Sequence, residues 1–283
     1  MIELVNLKKK FDDRWVTDGV NLKIPSGKMT CIIGRSGEGK SVLLKQIIGL
    51  IEPTSGKILV DGQDIIAMNE HDRREHLEKF GYVFQFAALL DSLNVFENIG
   101  IKLLENGQSI KDVLPIVKKS LELVNLTENN LYKFPSELSG GMKKRVGLAR
   151  TLVTNPQVIL YDEPTTGLDP ITSRVIHELM YNTQKKFGLT SVVITHDVKI
   201  FDYADKVALL NDGIIKFFGD VNTALDNIQD FSTRGGRTSP IKLYSRAQAE
   251  NEIKNLEKIG AGILTYKDPG YPALLLHIIL CTQ

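Results

Sequence analysis

Short apolar runs in this chain break abruptly into glycine or charged residues, and their spacing predicts the fold. MTCIIGRSGEGKSVLLKQIIGLI (29–51) runs apolar, turns glycine-rich, then resumes with apolar residues at helical intervals. It predicts a buried strand, a tight turn and a helix, the opening of a βαβ unit. PQVILYDEP (156–164) and TSVVITHD (190–197) are further apolar runs that end in polar side chains. Strands alternating with helices argue for an α/β fold, a parallel core sheet whose ligand site lies at the carboxyl ends of its strands.

Other segments carry a different rhythm. SGKILVDG alternates apolar and polar positions, and KVALLNDGIIKFFG places Asn-Asp-Gly between two apolar runs. These predict a mixed or antiparallel β flank with a hairpin. Between Gln85 and Ser139 the pattern turns helical: NVFENI offers an Asn cap with Glu three residues on, and IKDVLPIVKKSLELVNL carries an apolar stripe. A helical subdomain is expected over about residues 86–150, inserted into a domain spanning 1–229. DFSTRGGRTSP (230–240) has linker composition, and SRAQAENEIKNLEKIG, with its capping box and terminal Gly, predicts one short helix in a C-terminal extension, 241–283.

Composition narrows the function classes. With 42% apolar residues among 283, the chain has material for a proper core. Lys+Arg 35 against Asp+Glu 34 leaves no basic excess, so nucleic-acid binding by bulk charge is not expected. The two cysteines, Cys31 and Cys281, suggest neither a disulfide nor a zinc framework, and a reducing cytoplasm is expected. No window approaches the roughly 18 apolar residues that a membrane-spanning helix needs, and the first residues carry no signal-type run.

Gly34-Arg35-Ser36-Gly37-Glu38-Gly39-Lys40-Ser41 fits G-x-x-x-x-G-K-[ST] between a predicted strand and helix. The backbone N–H groups of such a loop wrap phosphate, Lys40 reaches the β- and γ-phosphates, and the Ser41 hydroxyl ligates Mg²⁺. Asp162, delivered to a strand end by VILYD, is placed for the magnesium shell, and Glu163 for polarising an attacking water. His196 ends a third strand, where it contacts the γ-phosphate or orients the water. Gln85, an amide closing GYVFQ, is a candidate ligand of magnesium or water. Ser139-Gly140-Gly141 opens another helix and makes a second anion site. Lys143, Lys144 and Arg145 follow that helix start and read as a solvated face with no binding role.

A phosphate loop, a strand-end Gln, LSGG before a helix and Asp-Glu about twenty residues later resemble, in this order over roughly residues 1–225, the ATP-binding cassette (ABC) ATPases. The resemblance implies ATP sandwiched with Mg²⁺ between two cassettes, so that Ser139 and Gly141 grip the γ-phosphate held by the partner's Lys40. By the same resemblance Phe11 stacks on adenine, with Trp15 as a rival aromatic. Gln85 senses a transmembrane partner, Asp169 in TGLDP crosses the dimer interface, and His196 is the switch histidine. Met142 stands where many members have Gln.

The family resemblance implies a second copy of the cassette, a separate integral permease, and a peripheral position on the cytoplasmic face of a bacterial inner membrane. FQFAALLDSLNVFENI, LSGGMKKRVGLAR and YDEPTTGLDPITS are similar to the ATPases paired with MCE-type lipid-binding proteins, whose relatives also carry toluene-tolerance and ribonucleotide-transport labels. Phospholipid transport is then the expected work. The alternatives are import or export of another cargo, or a soluble ABC ATPase acting on DNA or ribosomes. In the tail, IKNLEKIGAGILTYKDPGYPALLLHI is similar to a short N-terminal piece of Smf-type DNA-processing proteins and reads as an appended fragment, the other reading being a brace for the cassette dimer.

Overall fold

The computed structural model describes residues 1–224 and the strand backbones at 242–245, 263–265 and 273–278. The elements in chain order are β1 (Ile2–Phe11), β2 (Arg14–Ile24), β3 (Met29–Ile33), α1 (Lys40–Ile47), β4 (Ser55–Val60), β5 (Gln63–Asp64), α2 (Glu70–Leu77) and β6 (Phe80–Val83). There follow α3 (Val95–Glu105), α4 (Ile110–Leu123), α5 (Gly140–Leu152), β7 (Val158–Asp162), α6 (Pro170–Phe187), β8 (Thr190–Thr195), β9 (Lys206–Asn211) and β10 (Ile214–Gly219). The chain divides into two compact units, Met1–Phe218 and Gly219–Gln283.

In the first unit a six-stranded sheet runs β10-β9-β3-β8-β7-β6, and a four-stranded sheet runs β2-β1-β4-β5. Strands β6, β7, β8, β3 and β9 are mutually parallel, so their carboxyl ends share one edge of the sheet. The second sheet is antiparallel throughout. This is the expected architecture, with one difference of placement. The hairpin expected on the antiparallel flank extends the core sheet instead, because β9 pairs in parallel with β3. Its turn residues Asp212 (φ 51°) and Gly213 (φ 73°) both take the left-handed conformation that a two-residue hairpin requires.

Helix α1 is wedged between the sheets. Its Leu43, Leu44 and Ile47 are fully buried in one cluster with Ile2, Leu4, Val20 and Ile58 from the antiparallel sheet and Leu160, Val192 and Ile194 from the core sheet. Eight residues make a marginal helix in water, and α1 has no side-chain cap. Burial of those three side chains, each contributing about 1.5–3 kcal/mol, holds it in place.

The insertion forms as expected. Asn94 caps α3 through a reciprocal box, accepting from Glu97 N at 3.0 Å while Asn94 N donates to Glu97 Oε2 at 2.9 Å. The buried amide of Asn98 donates to the carbonyls of Leu90, Leu93 and Asn94, fixing the loop that leads from the core sheet into the helices.

The second unit contains a three-stranded antiparallel sheet in the order β11-β13-β12, from β11 (Lys242–Ser245), β12 (Ile263–Thr265) and β13 (Ala273–Ile278). The expected boundary at 229, the linker at 230–240, the body of the helix sought within 245–260 and the Lys-Asp-Pro-Gly-Tyr-Pro turn of the tail lie outside the described residues.

Candidate functional site

The phosphate loop leaves β3, all of whose residues are buried, at the edge where the parallel strands end. Gly34 passes so close to β9 that a Cβ there would lie 2.4 Å from the Leu210 carbonyl oxygen. Gly39 adopts φ 89° against Val16, where a Cβ would meet Val16 Cγ1 at 2.6 Å. Arg35, Ser36 and Gly37 form the exposed tip, and the Glu38 carboxylate accepts from Asp212 N at 2.7 Å, tying the loop to the β9–β10 turn. Lys40 and Ser41 then open α1.

Lys40 is buried, and its ammonium donates to the carbonyls of Gly34 and Arg35, both at 2.9 Å. It also stands 3.9 Å from Glu163 Oε1. Burial pulls its pKa below the ordinary lysine range, and Glu163, Glu38 and Asp162 oppose that shift.

Asp162 ends β7 almost fully buried. Its Oδ1 accepts from Ser41 Oγ at 2.9 Å and its Oδ2 from the Tyr82 hydroxyl at 2.7 Å. Burial first, and the bond to Asp162 second, push the Tyr82 phenol far above its ordinary pKa, so it stays a donor. A hydroxyl and one carboxylate are hard oxygen donors of the kind Mg²⁺ takes when phosphates and water supply the rest of its shell. Among the described residues no group of three or more His, Cys, Asp or Glu forms a protein cage for a metal. The donor set fits a magnesium ion carried with a nucleotide.

Glu163 follows Asp162 in a left-handed conformation, φ 47°, with its N–H donating to the Ile194 carbonyl of β8. Such a backbone costs of order 1–3 kcal/mol in a residue other than Gly, and here it turns the carboxylate back across the strand ends. Glu163 Oε2 accepts from Thr166 Oγ1 at 3.3 Å and lies 2.8 Å from His196 Nδ1. Lys40, Ser41, Asp162, Glu163 and His196, drawn from three separate segments, are thus brought together.

Gln85 lies two residues beyond the end of β6, half-buried. Its backbone carbonyl accepts from Lys144, which corrects the reading of Lys143 to Arg145 as one solvated face: Lys144 is only 7% exposed. Burial lowers the Lys144 pKa, and the charges of Glu163 and then Asp162 oppose the shift.

Ser139 caps α5 by accepting from Met142 N at 3.3 Å, and both Ser139 and Gly140 are exposed. A Cβ on Gly141 would lie 2.5 Å from Thr172 Cγ2, so α5 and α6 meet closely here. Asp169 caps α6 through Ile171 N and Thr172 N, and the Thr172 hydroxyl bond leads in holding its carboxyl below the usual range. No hydrogen bond or ion pair among the described residues joins Ser139–Gly141 or Asp169 to the Lys40–Glu163 cluster. Phe11 and Trp15 sit on the exposed β1–β2 hairpin, Phe11 under Lys9 and Trp15 under Lys8 and Lys10. That alternation puts the two rings on opposite faces.

A family model described as ABC transporter matches residues 17–166, from the hairpin beside the phosphate loop through Asp162 and Glu163. The chain belongs to the ABC transporter family. Methionine import ATP-binding protein MetN of Desulfitobacterium hafniense is 41% identical over 228 residues, 79% of this chain and 67% of that protein. Probable ribonucleotide transport ATP-binding protein mkl of Mycobacterium leprae is 41% identical over 200 residues, 70% of this chain and 57% of that protein. This ABC chain therefore spans between about half and two thirds of the length of those relatives.

The solved dimeric structure of the ATP-binding cassette MJ0796, in a post-hydrolysis state bound to ADP and Pi, matches with a TM-score of 0.72 at 30% identity. It covers 78% of this chain and 99% of that one. The ABC cassette described here is an ATP-hydrolysing domain.

Reading the ABC cassette from sequence passes over three of its contacts. Tyr82 and Thr166 are ordinary members of a strand and a loop, and Lys144 is one of three adjacent cations. Packing of β6 beside β7 brings Tyr82 to Asp162, packing of α5 brings Lys144 to the Gln85 carbonyl, and Thr166 reaches Glu163 across the local turn after β7.

Proposed function

We propose that this chain is the ATPase subunit of an ABC transporter, hydrolysing ATP at the interface of two cassettes to drive a separate membrane permease. The observation that carries this reading is the division of anion-binding machinery on one chain. Lys40, Ser41, Asp162 and Glu163 form one connected cluster, and Ser139 and Gly140 form an exposed helix start, with Gly141 buried behind them, that among the described residues has no bond to it. Two copies facing each other complete two sites, each with the phosphate loop of one and Ser139 and Gly141 of the other.

In that site the loop residues Gly34, Arg35, Ser36, Gly37, Glu38 and Gly39 cradle the phosphates, Lys40 neutralises them and Phe11 stacks on the base. Ser41, Asp162 and Gln85 hold Mg²⁺. Bound there, Mg²⁺ would supply charge neutralisation to the phosphates. Glu163, with His196 on its Oε2, orients and deprotonates the attacking water, and Asp169 crosses to the partner. The dimer is tested by gel filtration of Glu163→Gln with and without ATP. An ATP-dependent shift to twice the mass is expected, and an ATP-bound monomer overturns the two-copy site.

Among the described residues no helix is long and apolar enough to cross a membrane. A peripheral subunit docked on an integral permease at the cytoplasmic face is our reading, and the ABC transporter family match supports the permease partner. Phospholipid movement with an MCE-type lipid binder is our cargo reading. Met142 and the DPITS segment support it. Amino-acid import is the second reading, favoured by the methionine-import relative at the same identity over a longer match. Glu163→Gln protein isolated with ATP from detergent-solubilised native membranes separates them. A permease with an MCE-type protein and phospholipid supports the first, and an amino-acid permease without either replaces it.

A further inference from the structure

One face of α5 grips the segment that carries Gln85. Lys144 donates to the Gln85 carbonyl, Arg150 donates with both terminal nitrogens to the carbonyls of Ala87 and Ala88 at 2.7 Å each, and Thr151 Oγ1 donates to the Tyr82 carbonyl at 3.2 Å. Between them Gly147 removes a side chain at the point of closest approach, where a Cβ would lie 3.2 Å from Ala87 Cβ and 3.3 Å from its carbonyl oxygen. Residues 144, 147, 150 and 151 recur at helical spacing and so share this face.

What they hold is not a relaxed turn. Ala87 (φ 59°) and Ala88 (φ 47°) are consecutive left-handed alanines, a conformation that persists only where surroundings over-determine it. Arg150 and the buried Lys144 supply that constraint, the planar guanidinium with its rigid fork being suited to spanning two neighbouring carbonyls. Desolvation acts first on both cations, lowering their pKa, so neither is a surface ion that solvent replaces at no cost.

We propose that Lys144 and Arg150 are positioning residues for ATP hydrolysis, clamping the backbone of residues 85–88 so that the Gln85 amide is held at the nucleotide site. The proposal rests on the reading of Gln85 as a site residue. Because α5 begins at Ser139, the clamp also joins the helix that faces the partner's nucleotide to the loop that faces its own.

The experiment is steady-state ATPase kinetics on the full chain for wild type, Gln85→Ala, Lys144→Met, Lys144→Arg, Gly147→Ala and the Gln85→Ala/Lys144→Met double variant, with ATP binding and melting temperature measured on each. Lys144→Met is expected to lower kcat about tenfold or more, as misplacement of a catalytic group does, with KM for ATP within about twofold. Lys144→Arg restores most of that loss. Gly147→Ala, which keeps both cations but pushes on Ala87, lowers kcat in the same way. Added to Gln85→Ala, Lys144→Met costs little more, the signature of acting through Gln85.

A kcat for Lys144→Met within about twofold of wild type, with Gln85→Ala impaired, overturns the clamp and leaves the function intact, as do fully multiplicative losses in the double variant. Wild-type activity in Gln85→Ala removes the reading of Gln85 itself, and absence of turnover in the wild type removes the proposed function.

Discussion

His196 Nδ1 lies 2.8 Å from Glu163 Oε2, while Lys40 Nζ lies 3.9 Å from Oε1 of the same carboxylate. One carboxylate therefore bridges the exposed imidazole of the β8 end and the buried ammonium of the phosphate loop. With Thr166 also on Oε2, the Glu163 side chain has a partner on each oxygen.

Glu163→Gln keeps the shape and removes the negative charge. Turnover should fall about 10²-fold or more, the usual cost of losing a positioned base, while ATP binding survives. Single-turnover hydrolysis and equilibrium binding of a fluorescent ATP analogue report the two separately. Near-wild-type hydrolysis would remove Glu163 as the water-orienting group.

Ser139→Ala should impair turnover without abolishing ATP binding to a single chain, because Ser139 has no bond to the Lys40 cluster. Binding measured at a concentration too low for dimer formation is the check. Loss of monomer binding argues against the partner-subunit role.

Tyr82→Phe removes the hydroxyl that donates to Asp162 Oδ2 and leaves Ser41 alone to orient the carboxylate. The Mg²⁺ concentration for half-maximal hydrolysis should rise about tenfold, as it does when a group orienting a metal ligand is lost. An unchanged magnesium dependence would show that Ser41 suffices.

Gly34→Ala places a methyl 2.4 Å from the Leu210 carbonyl oxygen, a clash with backbone that no rotamer relieves. A loss of about 1–3 kcal/mol in stability is expected from such overpacking, with weakened nucleotide binding as the loop shifts. Thermal melting in the presence and absence of ATP distinguishes the two effects.

Deletion after Asp230 should leave ATP turnover intact, since the site residues all fall in the first compact unit. A large loss of kcat in the truncated chain would favour the tail as a brace for the cassette dimer.

The local chemistry of this cassette was legible in its sequence because a phosphate loop is a local object. Gly34 to Ser41 carry the whole motif within one strand–turn–helix. Asp162, Glu163 and His196 could be placed at strand ends because buried parallel strands read as unbroken apolar runs. What required the fold was everything joining distant segments. The β9–β10 hairpin reads the same in isolation whether it closes a flank or extends the core, and only parallel pairing with β3 decided that. Lys144 looks like its solvated neighbours until α5 packs against the Gln85 segment, since burial of a long cationic side chain depends on what approaches its helix face. The alternation of residues specifies faces, and only tertiary packing decides what each face meets.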